Sequence, residues 1–316
     1  MRSVAFLLFP GFQMMSLAAV TAFELANAAS GDAAYTVNFL SETGGPVASS
    51  IGAAVETQPF GEAHHDTVVV VGELSAGLAP AGFIAGVQAA SRRTRRIAGI
   101  CTGAFPLAQA GLLDGRRATT HWAYARALQR LYPAVKVEED RIFIADGPVW
   151  TSAGMTAAID LALALIEEDL GRDMSRALAR KLVVYHRRSG GQSQFSALLE
   201  LEPKSDRIQS ALTYARRNLR NPLSVEELAE AAHLSPRQFS RVFRAETGQS
   251  PAKAVENLRL EAARAMMEDG RHAIDVVARE TGFADRERMR RAFLRAFGQP
   301  PQVIRRSARA EEIRAA

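Results

Sequence analysis

A single cysteine, Cys101, occurs among the 316 residues. An intrachain disulfide is therefore excluded, and a reducing compartment is the expected setting. Long apolar runs are also missing. No stretch approaches the roughly 20 residues that cross a bilayer, so no membrane partner is expected. The opening Met1-Arg2-Ser3-Val4-Ala5-Phe6-Leu7-Leu8-Phe9-Pro10 could pass for a short signal core. No clean polar cleavage region follows it, and it reads as a buried first strand of a cytoplasmic protein. Lysine is nearly absent from residues 206–316, which hold one lysine against 20 arginines. What remains is ordinary: 47% apolar and 23% charged residues, as in a soluble globular chain of about two domains.

The charge is divided unevenly. Residues 1–205 carry 18 Lys+Arg against 19 Asp+Glu, and residues 206–316 carry 21 against 15. The basic excess coincides with a doubled pattern over 224–306. Ser224-Val225-Glu226-Glu227 opens a short apolar-periodic segment with the spacing of a capping box. His233-Leu234-Ser235 makes a turn, and Pro236 begins a second helix on which Phe239, Val242 and Phe243 face inward. About fifty residues later, Ile274–Ala278, the turn Gly282-Phe283 and an Asp285 cap repeat the arrangement, with Met289, Phe293 and Phe297 inside. Each copy reads as a helix-turn-helix.

A recognition helix reads bases from its N-terminal end. Arg237, Gln238 and Arg241 are the base-edge candidates of the first copy, and Arg244 is a phosphate candidate. In the second copy Arg286, Glu287 and Arg290 are base-edge candidates, Arg291 and Arg295 phosphate candidates, and Arg288 could be either. Glu287 could accept from a cytosine amine or pair with a neighbouring arginine; the spacing leans to the pair. A continuous helix over 251–267, about 25 Å long, would hold the two readers roughly one DNA turn, about 34 Å, apart. Double-stranded promoter DNA is the expected partner.

Upstream, apolar strands alternate with helices: strands near 3–9, 35–41, 47–55, 66–72, 95–100, 142–145 and 149–152, helices near 17–29, 80–91, 103–110, 153–170 and 172–186. That alternation predicts a doubly wound α/β domain with a mostly parallel sheet. The sharpest spot is Ile97-Ala98-Gly99-Ile100-Cys101-Thr102-Gly103-Ala104, a strand, a small-residue turn and a helix. Such an elbow lifts one side chain to the top of the sheet. The helix N-terminus behind it is expected to lower the thiol pKa and to offer N–H groups to an anion. His121, in Thr119-Thr120-His121-Trp122, could approach Cys101, whereas Trp122 is expected to pack the domain.

The run from Gly99-Ile100-Cys101-Thr102-Gly103-Ala104 through Leu107-Ala108-Gln109-Ala110-Gly111-Leu112-Leu113-Asp114-Gly115-Arg116 to Thr119-Thr120-His121-Trp122 resembles the PfpI-like branch of the class I glutamine-amidotransferase-like superfamily, over roughly residues 1–190. Cys101 matches the elbow cysteine and His121 the histidine near it. Two positions depart from the pattern. Thr102 stands where the proteases place a histidine, and Ser16 stands, by register from Gly11, where enzymes and redox sensors present a carboxylate. Glu24 lies two turns into the following helix, poorly placed to substitute. A cysteine without an orienting acid is a weak nucleophile. Cys101, Thr102, His121 and Ser16 are accordingly read as an effector pocket, with no catalytic residue, metal or cofactor.

Residues 189–205, with Ser189-Gly190-Gly191-Gln192-Ser193-Gln194, break periodicity and read as a linker. The same string resembles the junction in regulators that join a PfpI-like domain to an AraC/XylS-type DNA-binding domain. That second resemblance rests on Ala229, Leu234-Ser235, Phe239, Phe243, Gly248, Pro251, Arg259, Ala263, Ala278, Gly282-Phe283, Phe293, Gly298 and Pro301 at consistent spacings. It implies a sensing and dimerising domain over 1–188 and an all-α DNA-binding domain over 206–316. A small-molecule effector, a homodimer and, for an activator, RNA polymerase are the implied partners. The setting implied is amino-acid, amine or quaternary-ammonium catabolism. The competing readings are a cysteine hydrolase or amidase fused to a DNA-binding tail, and a thiol redox sensor.

Overall fold

The computed structural model describes residues 1–31, 33–184, 190, 194, 205–268, 272–297, 300–303 and 305. Two compact units divide it, Met1–Gln194 and Phe195–Ala316. Of the expected linker, only Gly190, Gln194 and Ser205 are among the described residues.

In the first unit, β1 (Arg2–Leu7), β2 (Tyr35–Ser41), β5 (His65–Val71), β6 (Thr94–Ile100) and β10 (Val149–Ser152) form the centre of a sheet. Among the described residues the sheet has eight strands in the order β3-β4-β2-β1-β5-β6-β10-β9, with β3 at Gly45–Ala48, β4 at Ala54–Pro59 and β9 at Phe143–Asp146. All central pairings are parallel, and only the outermost pairs, β3/β4 and β9/β10, are antiparallel. Strands buried on both faces explain the unbroken apolar runs. Along β1 and the two residues after it, Val4, Phe6 and Leu8 enter one core while Ala5, Leu7 and Phe9 enter the other. Helices α1 (Ala18–Ser30), α5 (Ala157–Leu170) and α6 (Arg172–Lys181) cover the first face; α2 (Ala81–Ser91), α3 (Ala104–Gln109) and α4 (Trp122–Leu131) cover the second. The doubly wound, mostly parallel architecture is the one expected.

Three local differences have physical causes. α5 begins four residues later than the periodicity suggests, because Gly154 (φ 77°) and Met155 (φ 52°) take left-handed conformations that no helix accepts. α6 stops at Lys181, two residues before Val183 at φ 56°; residues 185 and 186 of the expected helix lie outside the described set. α4 was not expected at all. It is capped by the His121 ring, whose Nδ1 accepts from the Ala123 N–H at 3.3 Å.

Where the parallel strands begin, a buried ion cluster joins them. Arg96 of β6 and Asp169 at the end of α5 are both nearly fully buried. Arg96 donates to Asp169, Glu168 and Thr67 of β5. Asp169 also receives Arg95 and the Tyr35 hydroxyl of β2 at 2.9 Å, with Arg2 at 3.6 Å. Burial, then the Asp169 charge, push the Tyr35 phenol up, so it stays a donor.

The second unit is helical: α7 (Asp206–Arg217), α8 (Val225–Ala231), α9 (Pro236–Thr247), α10 (Pro251–Glu268), α11 (Ile274–Glu280) and α12 (Arg286–Phe297). It has two cores, and α10 serves both. Ala254, Val255 and Leu258 pack with α7, α8 and α9, whereas Leu260, Ala263 and Met267 pack with α11 and α12. At 18 residues, α10 is about 27 Å long. The halves are also keyed together directly. Arg259 donates to the Leu219 and Asn221 carbonyls at 3.2 and 2.8 Å. Gly282 (φ 75°) lies so close that a Cβ there would sit 2.0 Å from the Leu219 oxygen.

Candidate functional site

Two places can do chemistry, one in each unit. In the first, β1 is followed through α1 by β2 on one side, and β5 and β6 lie on the other, so the chain reverses its winding between β1 and β5. Ligands of such sheets bind beyond the strand ends at that crevice. The turn after β1 meets the turn after β5 there: Gln13 N–H donates to the Gly72 carbonyl at 2.9 Å, and Phe12 bridges to Glu73. The elbow adjoins them. Cys101 leaves β6 at φ 58° and starts a tight turn into α3.

A left-handed non-glycine residue of this kind costs about 1–3 kcal/mol and persists only where its surroundings enforce it. Here they do. A Cβ on Gly103 would lie 2.2 Å from the Val70 oxygen, and one on Gly154 would lie 2.1 Å from the Cys101 Cβ. The Thr102 hydroxyl donates to the Glu73 carbonyl at 2.5 Å, and the Thr120 hydroxyl donates to the Cys101 carbonyl at 2.8 Å.

The expected lowering of the thiol pKa is corrected by this packing. Cys101 is 4% exposed, and burial pushes its thiol up against the opposing influence of the neighbouring Thr102. Withdrawal from water disfavours the thiolate more than the turn's N–H groups favour it. No carboxylate comes from the turn after β1. Ser16 is fully buried and donates to the Gln13 Oε1 at 3.0 Å, while Glu24 is exposed on α1. His121 does not hydrogen-bond Cys101. Burial lowers its pKa, which suits the neutral ring that caps α4, and it lies against Trp122 and Tyr124 with centroids 5.5 and 6.0 Å away.

The four expected pocket residues are therefore placed unequally. Cys101, Thr102 and Ser16 are interior, and His121 is half-buried at the rim. Trp122, expected to pack the domain, is instead 50% exposed, because its position on the first turn of α4 points outward. Leu74 and Met155 are also exposed, and each is tied to the residues around the elbow, by the Tyr124 hydroxyl on the Leu74 carbonyl (2.8 Å) and by Gln13 Nε2 on Met155 Sδ (2.9 Å). Sequence reasoning missed Gln13, Gly154 and Gln194. A glutamine inside the apolar run Phe12–Leu17 was the available signal for the first. Gln194 accepts from the Trp122 N–H and donates to the Thr120 carbonyl, both at 2.8 Å, so the loop Thr119–Trp122 is tied to the last residue of the unit.

In the second unit each helix-turn-helix is built as its residues dictate. Ser224 and Glu227 form a reciprocal capping box on α8, and Ser235 does the same with Gln238 on α9, where Pro236 is the first residue. The turns pass through left-handed His233 in the first copy and Gly282 with Ala284 in the second. Asp285 accepts from the Arg288 N–H at 2.8 Å and caps α12. Phe239, Phe243, Met289 and Phe293 are buried. Arg237, Arg241 and Arg244 are left on the exterior of α9, without a carboxylate partner among the described residues. The Gln238 carbonyl end is engaged in the cap, leaving its amide end for an outside partner.

The second reader differs. Glu287 grips Arg290 with two hydrogen bonds of 2.9 and 3.1 Å and lies 4.0 Å from Arg291. Arg286 reaches Asp275 at 3.3 Å, Arg288 reaches Asp285 at 3.5 Å, and Arg295 donates to Glu256 at 2.7 Å.

Residues 2–168 match the family model described as the DJ-1/PfpI family, and residues 228–307 match a helix-turn-helix domain model. The regulator GbdR of Pseudomonas aeruginosa, an HTH-type transcriptional regulator, is 32% identical over 308 residues, covering 95% of this chain and 83% of its own. Isonitrile hydratase of Pseudomonas putida is 41% identical over 96 residues, 30% of this chain and 41% of the hydratase. The DJ-1/PfpI likeness therefore extends to an enzyme as well as to regulators. A crystal structure of an AraC family transcriptional regulator from Pseudomonas putida aligns with a TM-score of 0.52 at 22% identity, covering 58% of this chain and all of that one, a likeness of fold. Nearly end to end, then, in its elbow-bearing α/β unit and its paired helix-turn-helices alike, this chain belongs to the AraC-type transcriptional regulators that carry a DJ-1/PfpI domain.

Proposed function

We propose that residues 1–188 sense a small-molecule effector and dimerise, that 189–205 link, and that 206–316 bind promoter DNA in the cytoplasm. The effector sits at the winding reversal above the elbow, in contact with His121, Trp122 and Met155, while Cys101, Thr102 and Ser16 shape the floor. The observation that carries a sensing rather than a catalytic role is the hydrogen bond from Ser16 to Gln13 where an enzyme would present a carboxylate. With no acid from the turn after β1, a buried thiol and no hydrogen-bonded base among the described residues, Cys101 lacks what activates a nucleophile. The attachment of Gln194 to the Thr119–Trp122 loop supports signalling toward the second unit. An effector shifts promoter occupancy only by favouring one arrangement of the protein over another. The genes under control are catabolic, and an activating form would also touch RNA polymerase.

The test is Cys101→Ser in the full chain, assayed by reporter induction with a panel of amino acids, amines and quaternary ammonium compounds. Full induction by the same compound as the unmodified chain is expected. Loss of induction with folding and DNA affinity intact would favour the hydrolase or redox reading.

The base-edge assignments for Arg237, Gln238, Arg241, Arg286, Glu287 and Arg290, and the phosphate assignments for Arg244, Arg291 and Arg295, belong to the same proposal. Arg237→Ala or Arg286→Ala should weaken binding to a sequence selected from a random pool by about 1–3 kcal/mol and broaden the sequences accepted. An unchanged footprint and affinity would place the recognition surface elsewhere.

A further inference from the structure

The two readers carry similar arginines in different electrostatic states. On α9, Arg237, Arg241 and Arg244 have no carboxylate partner among the described residues. On α12, Arg286, Arg288, Arg290, Arg291 and Arg295 all have one, supplied by Asp275, Asp285, Glu287 and Glu256. Two of the pairs cross between helices, Arg286 to α11 and Arg295 to α10, so they do not follow from the sequence of α12 alone. Mutual hydrogen bonding also pulls the Glu287 carboxyl down and pushes the Arg290 guanidinium up.

We propose that the second helix-turn-helix is a charge-paired reader that contributes sequence discrimination, while the unpaired arginines of the first supply most of the phosphate-driven affinity. This rests on the DNA-binding reading and deepens it.

Binding that neutralises a phosphate releases a condensed counterion from the duplex, which gives a salt slope of about 0.9 per contact. An unpaired arginine brings its charge free, so the release is a net gain. An arginine that leaves a carboxylate to reach a phosphate strands that carboxylate, which recruits a cation from solution. The released ion is then largely taken back, and both affinity and slope gain little. A carboxylate left beside the backbone also repels every phosphate, whatever the sequence. Base edges are different. They are neutral dipoles read at short range, and an arginine oriented by two hydrogen bonds, as Arg290 is by Glu287, can still meet one. Repulsion that applies to all sequences, with attraction that applies to few, is how specificity is raised by disfavouring wrong partners.

The experiment uses the full-length chain and a random-sequence duplex, with affinity followed by fluorescence anisotropy across a salt series. Salt-dependent binding by the unmodified chain is the check on the DNA-binding reading itself; without it that reading fails, not merely the asymmetry. On random DNA, which offers no matched base edge, Arg241 meets phosphate as Arg244 does, so Arg241→Ala and Arg244→Ala should each reduce the slope by about 0.9, whereas Arg291→Ala and Arg295→Ala should each reduce it by less than about half as much. Glu287→Gln and Asp275→Asn should raise affinity for random DNA by about two- to fivefold, the range expected for exposed pairs, and should steepen the slope. Glu230→Gln on α8 removes the same charge from a carboxylate with no arginine partner among the described residues and should do so less. Equal slope losses on the two readers would overturn the proposal. So would a Glu287→Gln effect no larger than that of Glu230→Gln.

Discussion

Asp169→Ala destabilises the first unit by about 3–5 kcal/mol, the range for breaking a buried ion cluster from one side. The carboxylate is the meeting point of Arg96, Arg95, Arg2 and the Tyr35 hydroxyl, and both it and Arg96 are almost wholly removed from water. Without it the Arg96 guanidinium keeps, among the described residues, only Glu168, which is 39% exposed, and Thr67. The loss is the stranding of a buried cation more than the loss of an attraction. It follows that Arg96→Met, added to Asp169→Ala, should recover much of the stability, a strongly non-additive pair. Both tryptophans, Trp122 and Trp150, lie in the first unit, so urea unfolding followed by tryptophan fluorescence reports that unit alone. A loss under about 1 kcal/mol for Asp169→Ala would mean that the cluster is solvated and not structural.

Gly154→Ala is expected to break the elbow, at about 2–4 kcal/mol. Two penalties combine. The backbone there is left-handed at φ 77°, which a side chain disfavours, and the new Cβ would overlap the Cys101 Cβ at 2.1 Å and lie 2.7 Å from its Cα. Neither atom is the end of a flexible chain, so relief requires the β6 turn and the loop after β10 to part. Adding Cys101→Gly should restore part of the stability, because it removes the opposing Cβ and relaxes φ 58° at the same time, while the left-handed φ at residue 154 still costs. The same fluorescence measurement decides it. If Gly154→Ala is tolerated and the double variant gains nothing, the contact is not what holds the elbow. Effector response should fall with Gly154→Ala and return with the double variant, since both follow the shape of the pocket floor.

The parts of this protein that were legible in the sequence are those governed by local pattern. Runs such as Thr67–Val71 must be buried on both faces, so they announce a parallel sheet wherever they fall. The caps at Ser224 and Ser235 depend on residues three positions apart, and both form. α4 was illegible because only Ala125 and Leu128 on it are buried and its cap is a histidine ring, outside the usual set of capping residues. The pairs β7 (Arg117–Ala118) with β8 (Lys136–Val137) are too short to leave any periodicity.

The candidate site divides along the same line. By itself the sequence determined that a strand, a turn and a helix meet at Cys101, and that arginines cluster on the second helix of each doubled motif. Only the tertiary structure decided what those groups experience. Gly154, fifty-three positions away, closes over Cys101 and withdraws its thiol from water, which reverses the expected direction of its pKa. Glu256 and Asp275 arrive from other helices to pair Arg295 and Arg286, while no carboxylate among the described residues arrives at Arg241 or Arg244. Residue type and short-range spacing select a conformation through contacts within a turn or two. A side chain's charge state and availability depend on dielectric and on partners within a few ångströms, and those are supplied by packing between segments distant in the chain.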